Sequence, residues 1–212
     1  MSHAHPETSG IVIHGGWFYD VFLGRLIRTT DEEVLARAGV ASGDHLLDVG
    51  TGPGYLALAA SKLVAPGGTA TGIDASPEMI ARARVRAERA HSKAEYRVAT
   101  AEALPFDDDA FDVVVSRLVF HHLPGALKGQ ALAEMARVLR PDGRLLIVDL
   151  ASPAAKGAHH LAAHVMGTHP DTGAVLEELM AEAGFTQLTH GKLMHGMLAG
   201  VAARSPERSE QE

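Results

Sequence analysis

Apolar residues along this 212-residue chain fall into two kinds of run. Some are short and unbroken, such as Leu46-Leu47 before Asp48-Val49, Val113-Val114-Val115 and Leu145-Leu146-Ile147-Val148. Such runs are too short for helices and too continuous for half-solvated strands, so they read as strands covered on both faces. The pattern predicts strands at 45–49, 69–73, 95–99, 111–115, 144–150, 185–190 and 195–203. Between them lie longer stretches with apolar residues at helical spacing. An amphipathic helix is expected over 16–28. A second opens at Thr30, read as an N-cap ahead of acidic Asp31-Glu32-Glu33, and ends near Gly39. A third covers 55–64 and is stopped by Pro66-Gly67-Gly68. Ser76-Pro77 supplies a cap and a first-turn proline for a fourth over 77–90. A fifth, about 125–139, stops before the turn tripeptide Pro141-Asp142-Gly143. A sixth, 172–183, places Val175, Leu176, Leu179, Met180 and Ala183 on one face. Residues 151–170 read as irregular.

Strands alternating with helices imply one α/β domain with a doubly wound, mostly parallel sheet and helices on both faces. The last two strands are joined too tightly for a helical crossover, so the last strand is expected to run antiparallel. No repeat or linker divides the chain.

Composition narrows the function. The formal net charge of −7 speaks against a general nucleic-acid binder, which would carry a basic face. There is no cysteine, hence no disulfide framework and no thiolate chemistry. No apolar run approaches ~18 residues and no signal-like segment opens the chain, so no membrane insertion and a soluble, cytoplasmic protein are expected. The first nine residues and Ser205 to Glu212 are polar and read as tails.

The chemistry is concentrated in Asp48-Val49-Gly50-Thr51-Gly52-Pro53-Gly54 at the end of the first predicted strand, with Asp74 at the end of the second. Glycines let a backbone approach a ligand, a helix N-terminus stands behind them, and an acidic group one strand over can accept from two ribose hydroxyls. The spacing D-x-G-x-G-x-G, with Pro53 where a helix would start, differs from the G-x-G-x-x-G of dinucleotide sites. This weighs against a nicotinamide-dependent oxidoreductase.

Further segments follow in order: Gly72-Ile73-Asp74-Ala75-Ser76-Pro77-Glu78-Met79, Ala101-Glu102-Ala103-Leu104-Pro105-Phe106, Phe111-Asp112-Val113-Val114-Val115-Ser116, Phe120-His121-His122-Leu123 and Arg137-Val138-Leu139-Arg140-Pro141-Asp142-Gly143-Arg144. With the glycine segment they resemble the ordered motifs of class I S-adenosylmethionine (SAM) methyltransferases, most closely the ubiquinone/menaquinone-biosynthesis type and related small-molecule enzymes. The resemblance covers about residues 45–150. It implies a Rossmann-like seven-stranded sheet and SAM as methyl donor, with S-adenosylhomocysteine as product. The implied acceptor is a small molecule methylated at O, N or C. Residues 1–40 would then form a lid-like extension, 45–150 the SAM-binding core, and 151–204 a substrate-side segment with the last strands.

The resemblance also implies site roles. Gly50, Thr51, Gly52 and Gly54 line the methionine part of SAM, and Asp48 orients that loop and helps hold the amino group. Asp74, beside Ala75, takes the ribose hydroxyls, and Met79 covers the adenine. Ala101 meets the adenine edge through its backbone N–H. Thr100 stands where many relatives carry Asp; its hydroxyl is a weaker acceptor than a carboxylate, and Glu102 either compensates or faces solvent. Ser116 and Arg117 close the fourth strand near the expected sulfonium. Tyr19, in Tyr19-Asp20, either closes over the cofactor or packs its helix on the core.

Methyl transfer from a sulfonium needs a base only where the nucleophile carries a proton at neutral pH. His121 and His122 are the candidates, His121 the better placed; the alternative is that the pair only packs a helix start. Arg82, Arg84, Arg86 and Arg89 form either a solvated face or a phosphate-binding one. His160 and His164 are half a zinc site at helical spacing, with His159, His169 or His14 to complete it. The implied chemistry needs no metal, and none is expected. A SAM-binding protein without methyl transfer, or a SAM-assisted enzyme of another reaction, stays open.

Overall fold

The computed structural model describes residues 28–151 and 173–206. The helix expected over 16–28, with Trp17, Tyr19 and Asp20, lies outside these residues, as do most of 151–170 and its histidines.

Seven strands form one sheet: β1 (His45–Val49), β2 (Thr69–Asp74), β3 (Glu95–Val98), β4 (Phe111–Arg117), β5 (Leu139–Leu150), β6 (Thr186–Leu193) and β7 (Leu198–Arg204). Their order across the sheet is β3-β2-β1-β4-β5-β7-β6. The pairs β1–β2, β1–β4, β2–β3 and β4–β5 are parallel, while β7 runs antiparallel to both neighbours. The order reverses at β1 and β4, which places the crevice for a ligand at the carboxyl ends of those two strands.

The helices are α1 (Asp31–Arg37), α2 (Tyr55–Leu63), α3 (Pro77–Arg89), α4 (Gly125–Val138) and α5 (Gly173–Glu182). Strand pleating sends alternate residues to opposite faces. Leu47, Val49, Val114, Leu145 and Ile147 join Leu132 and Met135 of α4 and Leu176 and Met180 of α5. Their neighbours Leu46, Val113, Val115, Leu146 and Val148 join Val34 and Leu35 of α1 and Leu56 and Ala60 of α2. Both faces are covered, which is why these strands read as unbroken apolar runs.

Several local expectations are corrected. Thr30 is not a side-chain N-cap; its hydroxyl accepts from Arg117 at 3.1 Å. A long-range charged donor has outcompeted the local backbone donor. Ser76 does cap α3, accepting from the Met79 N–H at 3.4 Å, with Pro77 at the first position. Pro141-Asp142-Gly143 does not separate helix from strand: β5 begins at Leu139, opposite Phe111, and the register shifts before Arg144 meets Val113. The extra residues are absorbed as an irregularity with Asp142 at φ 60°. They are held by Arg204, which donates to the Asp142 carbonyl at 2.8 Å, and by the Ser205 N–H, which donates to Gly143 at 2.8 Å. Ser205 is therefore buried and docked, not the start of a tail. Val175 lies one position off the buried stripe of α5 and is 42% exposed. The hairpin connection between β6 and β7 contains a short 3-10 turn, Met194–Gly196, so β7 starts at Leu198 instead of 195.

Candidate active site

The glycine segment turns at the carboxyl end of β1, and four anchors fix its shape. The Thr51 hydroxyl donates to Asp48 Oδ2 at 2.6 Å. The Gly52 N–H donates to Asp74 Oδ2 at 2.9 Å. The Tyr96 hydroxyl donates to the Gly54 carbonyl at 2.9 Å. Arg86 donates to the Pro53 carbonyl and, at 2.9 Å, to the Tyr55 hydroxyl, with its guanidinium 3.9 Å from the Tyr55 ring centre. Burial raises the Tyr96 phenol far above its ordinary range, with the Asp48 charge adding to it, so it stays a donor.

Gly50 and Gly54 have φ of 73° and 83°, where side chains are strained. A Cβ on Gly50 would collide with the Val119 side chain; on Gly54 it would lie 2.7 Å from both the Ala83 Cβ and the Tyr96 ring. Both glycines thus make room for protein, which brings the loop close against β3, α3 and the segment after β4. Gly72 serves the same end, since a Cβ there would fall 2.6 Å from the Thr51 hydroxyl.

Asp48 is 2% exposed, and its carboxylate is taken by Thr51 and by the Ala57 N–H in the first turn of α2. It reaches the loop, not the crevice, so a direct hold on a ligand's amino group is not what this geometry provides. Burial pushes its pKa up from 3.8 to about 6, against the Thr51 hydrogen bond and the Arg117 charge. The folded state therefore binds this proton more tightly than the unfolded chain between about pH 4 and 6. Stability from this group falls as pH rises through that window, by about 3 kcal/mol in all at ~1.4 kcal/mol per pH unit. Asp48→Asn should remove that slope. Urea midpoints of both proteins at pH 4 and pH 7 check it, and equal slopes would refute the burial assignment.

Asp74 is half-buried and joins two turns: Oδ2 accepts from Gly52, and Oδ1 accepts from the Ser76 N–H at 2.8 Å. Burial raises its pKa, opposed by those two hydrogen bonds. Each oxygen keeps a lone pair for a further donor. Ala75 is exposed beside it, and Met79 is 6% exposed under the capped start of α3. Thr100 closes a tight turn through a bridge to Ala103, with Ala101 buried and Glu102 half-buried. The turn 104–108 is held by Arg137, which donates to the Leu104 carbonyl at 3.0 Å, the Phe106 carbonyl at 2.8 Å and Asp108 at 2.8 Å. These segments all follow the carboxyl ends of β1, β2 and β3, which brings the glycine loop, Asp74 and the turn at Thr100 to one edge of the sheet; Tyr19 lies outside the described residues. The donor set fits a nucleoside ligand: a half-buried carboxylate with spare acceptor capacity, flanked by a loop that presents backbone.

At β4 the outcome is mixed. The Ser116 hydroxyl is buried and donates to the Val49 carbonyl at 3.1 Å, tying β4 to β1. Arg117 forms a buried ion pair with Asp31 at 2.7 Å, docking the start of α1 against the strand end.

His121 lies in a 3-10 turn, Phe120–His122. Its Nδ1 is 2.5 Å from Asp149 Oδ1, and its backbone N–H donates to Asp149 Oδ2 at 2.9 Å. The His121 side chain is 7% exposed and that of Asp149 2%. His122 lies against it, ring centres 3.8 Å apart. Burial, then the neighbouring His121, lowers the His122 pKa to about 4, against the pull of Asp149.

Sequence reasoning missed Asp149, Arg86, Tyr96 and Asp31. Only Asp149 carried a signal, a carboxylate interrupting an apolar run at a strand's carboxyl end. The arginines of α3 are mostly intramolecular ties: Arg82 pairs with Glu78 at 2.8 Å and Arg84 donates to the Tyr96 carbonyl at 2.7 Å. This supports neither a free phosphate-binding face nor a plain solvated one.

Comparison with known proteins agrees with this geometry. Residues 47–147 match a family model described as a methyltransferase domain. The chain is 30% identical over 211 residues to the ubiquinone/menaquinone biosynthesis C-methyltransferase UbiE of Pseudomonas putida (strain GB-1), spanning 87% of this chain and 80% of that one. It is 41% identical over 133 residues to the uncharacterized methyltransferase YcgJ of Bacillus subtilis (strain 168), spanning 62% of this chain and 47% of that one. A SAM-dependent methyltransferase from Aquifex aeolicus superposes with a TM-score of 0.70 at 25% identity, covering 82% of this chain and 89% of that one. The chain belongs to the class I S-adenosylmethionine-dependent methyltransferase family.

Proposed function

We propose that this methyltransferase acts on a small-molecule acceptor, at O, N or C, in the cytoplasm. The observation that carries the reading is Asp74, a half-buried carboxylate shared between Gly52 and Ser76 at the carboxyl end of β2, one strand from the crevice where the strand order reverses. In this reading Asp74 takes the ribose hydroxyls. The backbone of Gly50, Thr51, Gly52 and Gly54 lines the methionine moiety, with Asp48 acting through the loop. Ala75, Met79, Thr100, Ala101 and Glu102 surround the adenine, and Ser116 and Arg117 close the side next to β4. SAM supplies the activated methyl group; the protein holds donor and acceptor in line and keeps water out.

Two observations support the small acceptor. The net charge is −7, which speaks against a nucleic-acid substrate. A relative at 30% identity is named for methylation of carbon in quinone biosynthesis, which keeps carbon among the attacked atoms. Incubation with SAM and a panel of phenols, amines and quinols, read by mass spectrometry, tests this. A methylated small molecule is expected. Methylation confined to protein or nucleic acid would overturn the acceptor class, and cofactor binding without any methylated product would favour a SAM-binding protein or a SAM-assisted reaction.

A further inference from the structure

We propose that Asp31 is a charge-balancing residue of the cofactor site: by neutralising Arg117 at the end of β4, it lets the crevice favour a cationic sulfonium donor over its neutral thioether product. The inference rests on the methyltransferase reading and adds a residue that acts on donor selectivity without touching the donor.

The placement follows from strand geometry. Asp48 of β1 lies opposite Val115 of β4, and residues paired in register share a face of the sheet. Arg117, two residues on from Val115, returns to that face. It is the face that α1 and α2 cover. The first turn of α1 carries Asp31, Glu32 and Glu33, and of the three only Asp31 is buried. Its Oδ1 accepts from the Arg117 guanidinium at 2.7 Å, and the Thr30 hydroxyl accepts from the same nitrogen at 3.1 Å. The pair is sealed, with side chains 9% and 12% exposed. Asp48 feels both charges: Arg117 favours its ionised form and Asp31 opposes it. The three groups therefore form one electrostatic unit at the carboxyl ends of β1 and β4, where the crevice opens.

Docking of α1 does not by itself call for this pair. Val34 and Leu35 already bury the helix against the sheet, and a buried ion pair adds little stability beyond apolar packing of the same volume. Its effect on charge is larger. SAM and S-adenosylhomocysteine differ by one methyl group and one positive charge. An unbalanced guanidinium at the end of β4 would repel the charged donor and not the neutral product. With Asp31 in place Arg117 is neutralised, and Asp48, whose pKa is raised by burial only to about 6, is ionised at pH 7. The cluster then carries a net negative charge, which suits a sulfonium.

The test is calorimetric titration of the full-length protein at pH 7 with SAM and with S-adenosylhomocysteine, read as the ratio of the two dissociation constants. Loosened packing changes both constants together, so the ratio reports charge. Asp31→Asn should weaken SAM relative to S-adenosylhomocysteine by about 3- to 30-fold, the effect of one unit charge acting through a partly buried site. Thr30→Asp adds a carboxylate beside the same guanidinium and should move the ratio the other way; it decides the matter if Asp31→Asn does not fold. Asp31→Asn combined with Arg117→Gln, a neutral pair of similar shape, should restore the parent ratio. Ratios unchanged in Asp31→Asn and Thr30→Asp would overturn the inference and leave the pair as a clasp for α1. A parent protein that binds neither ligand would instead defeat the methyltransferase reading, and the inference with it.

Discussion

Gly54→Val is expected to destabilise the fold by about 3–5 kcal/mol, combining left-handed backbone strain in a β-branched residue with overpacking. Gly54 sits at φ 83° immediately before α2, and its missing side chain is the space in which Ala83 of α3 and the Tyr96 ring approach. A Cβ there, 2.7 Å from both, has no flexible neighbour to displace, because one contact is a helix Cβ and the other a ring held by its hydroxyl on the Gly54 carbonyl. Pushing α3 outward would break the bond from Arg86 to the Pro53 carbonyl, and pushing the ring away would break the bond from Tyr96 to the Gly54 carbonyl. Gly129 provides the contrast. It lies inside α4 with nothing within 4 Å of a Cβ, so Gly129→Ala should stabilise by about 0.5–1 kcal/mol. Urea denaturation of both variants decides the matter. A Gly54→Val protein as stable as the parent would mean that the packing of α3 and β3 on the loop is wrong.

Asp74→Ala should weaken S-adenosylhomocysteine binding by about 1.5–3 kcal/mol, roughly 10- to 150-fold, as for hydrogen bonds to a charged group. The same carboxylate holds Gly52 and Ser76, so part of any loss could come from a loosened loop. A double-mutant cycle with the 2′,3′-dideoxy analogue separates the two parts. If Asp74 accepts from the ribose, the substitution should cost clearly less with the dideoxy ligand. An equal loss with both ligands would leave Asp74 as a loop brace and remove the ribose assignment.

The elements that sequence made legible are those with a local cause. Runs such as Val113-Val114-Val115 mark strands because both faces are covered, and Ser76-Pro77 marks a helix start because cap and proline act within one turn. Readings failed where a distant partner decided. Thr30 looked like a cap until Arg117 claimed its hydroxyl, and Pro141-Asp142-Gly143 looked like a stop until residues 204 and 205 tied it into β5. The site divides in the same way. Gly50, Gly52, Gly54 and Asp74 declare themselves by spacing along the chain. Tyr96, Arg86 and Asp31 act on the loop and the β4 end from 33 to 86 residues away, and nothing in their own neighbourhoods announces it. Asp149 is an intermediate case. Its place at a strand's carboxyl end was visible, but its pairing with His121, 28 positions earlier, emerged only with the fold.

The measurement closest to the central claim is calorimetric titration of the purified protein with S-adenosylhomocysteine, with NADH as the comparison. Micromolar binding of the first and none of the second is the expected result, and it would tie the glycine loop and Asp74 to the cofactor of the family. A preference for NADH would contradict the account at its root, leaving the fold in place and the chemistry to be argued again.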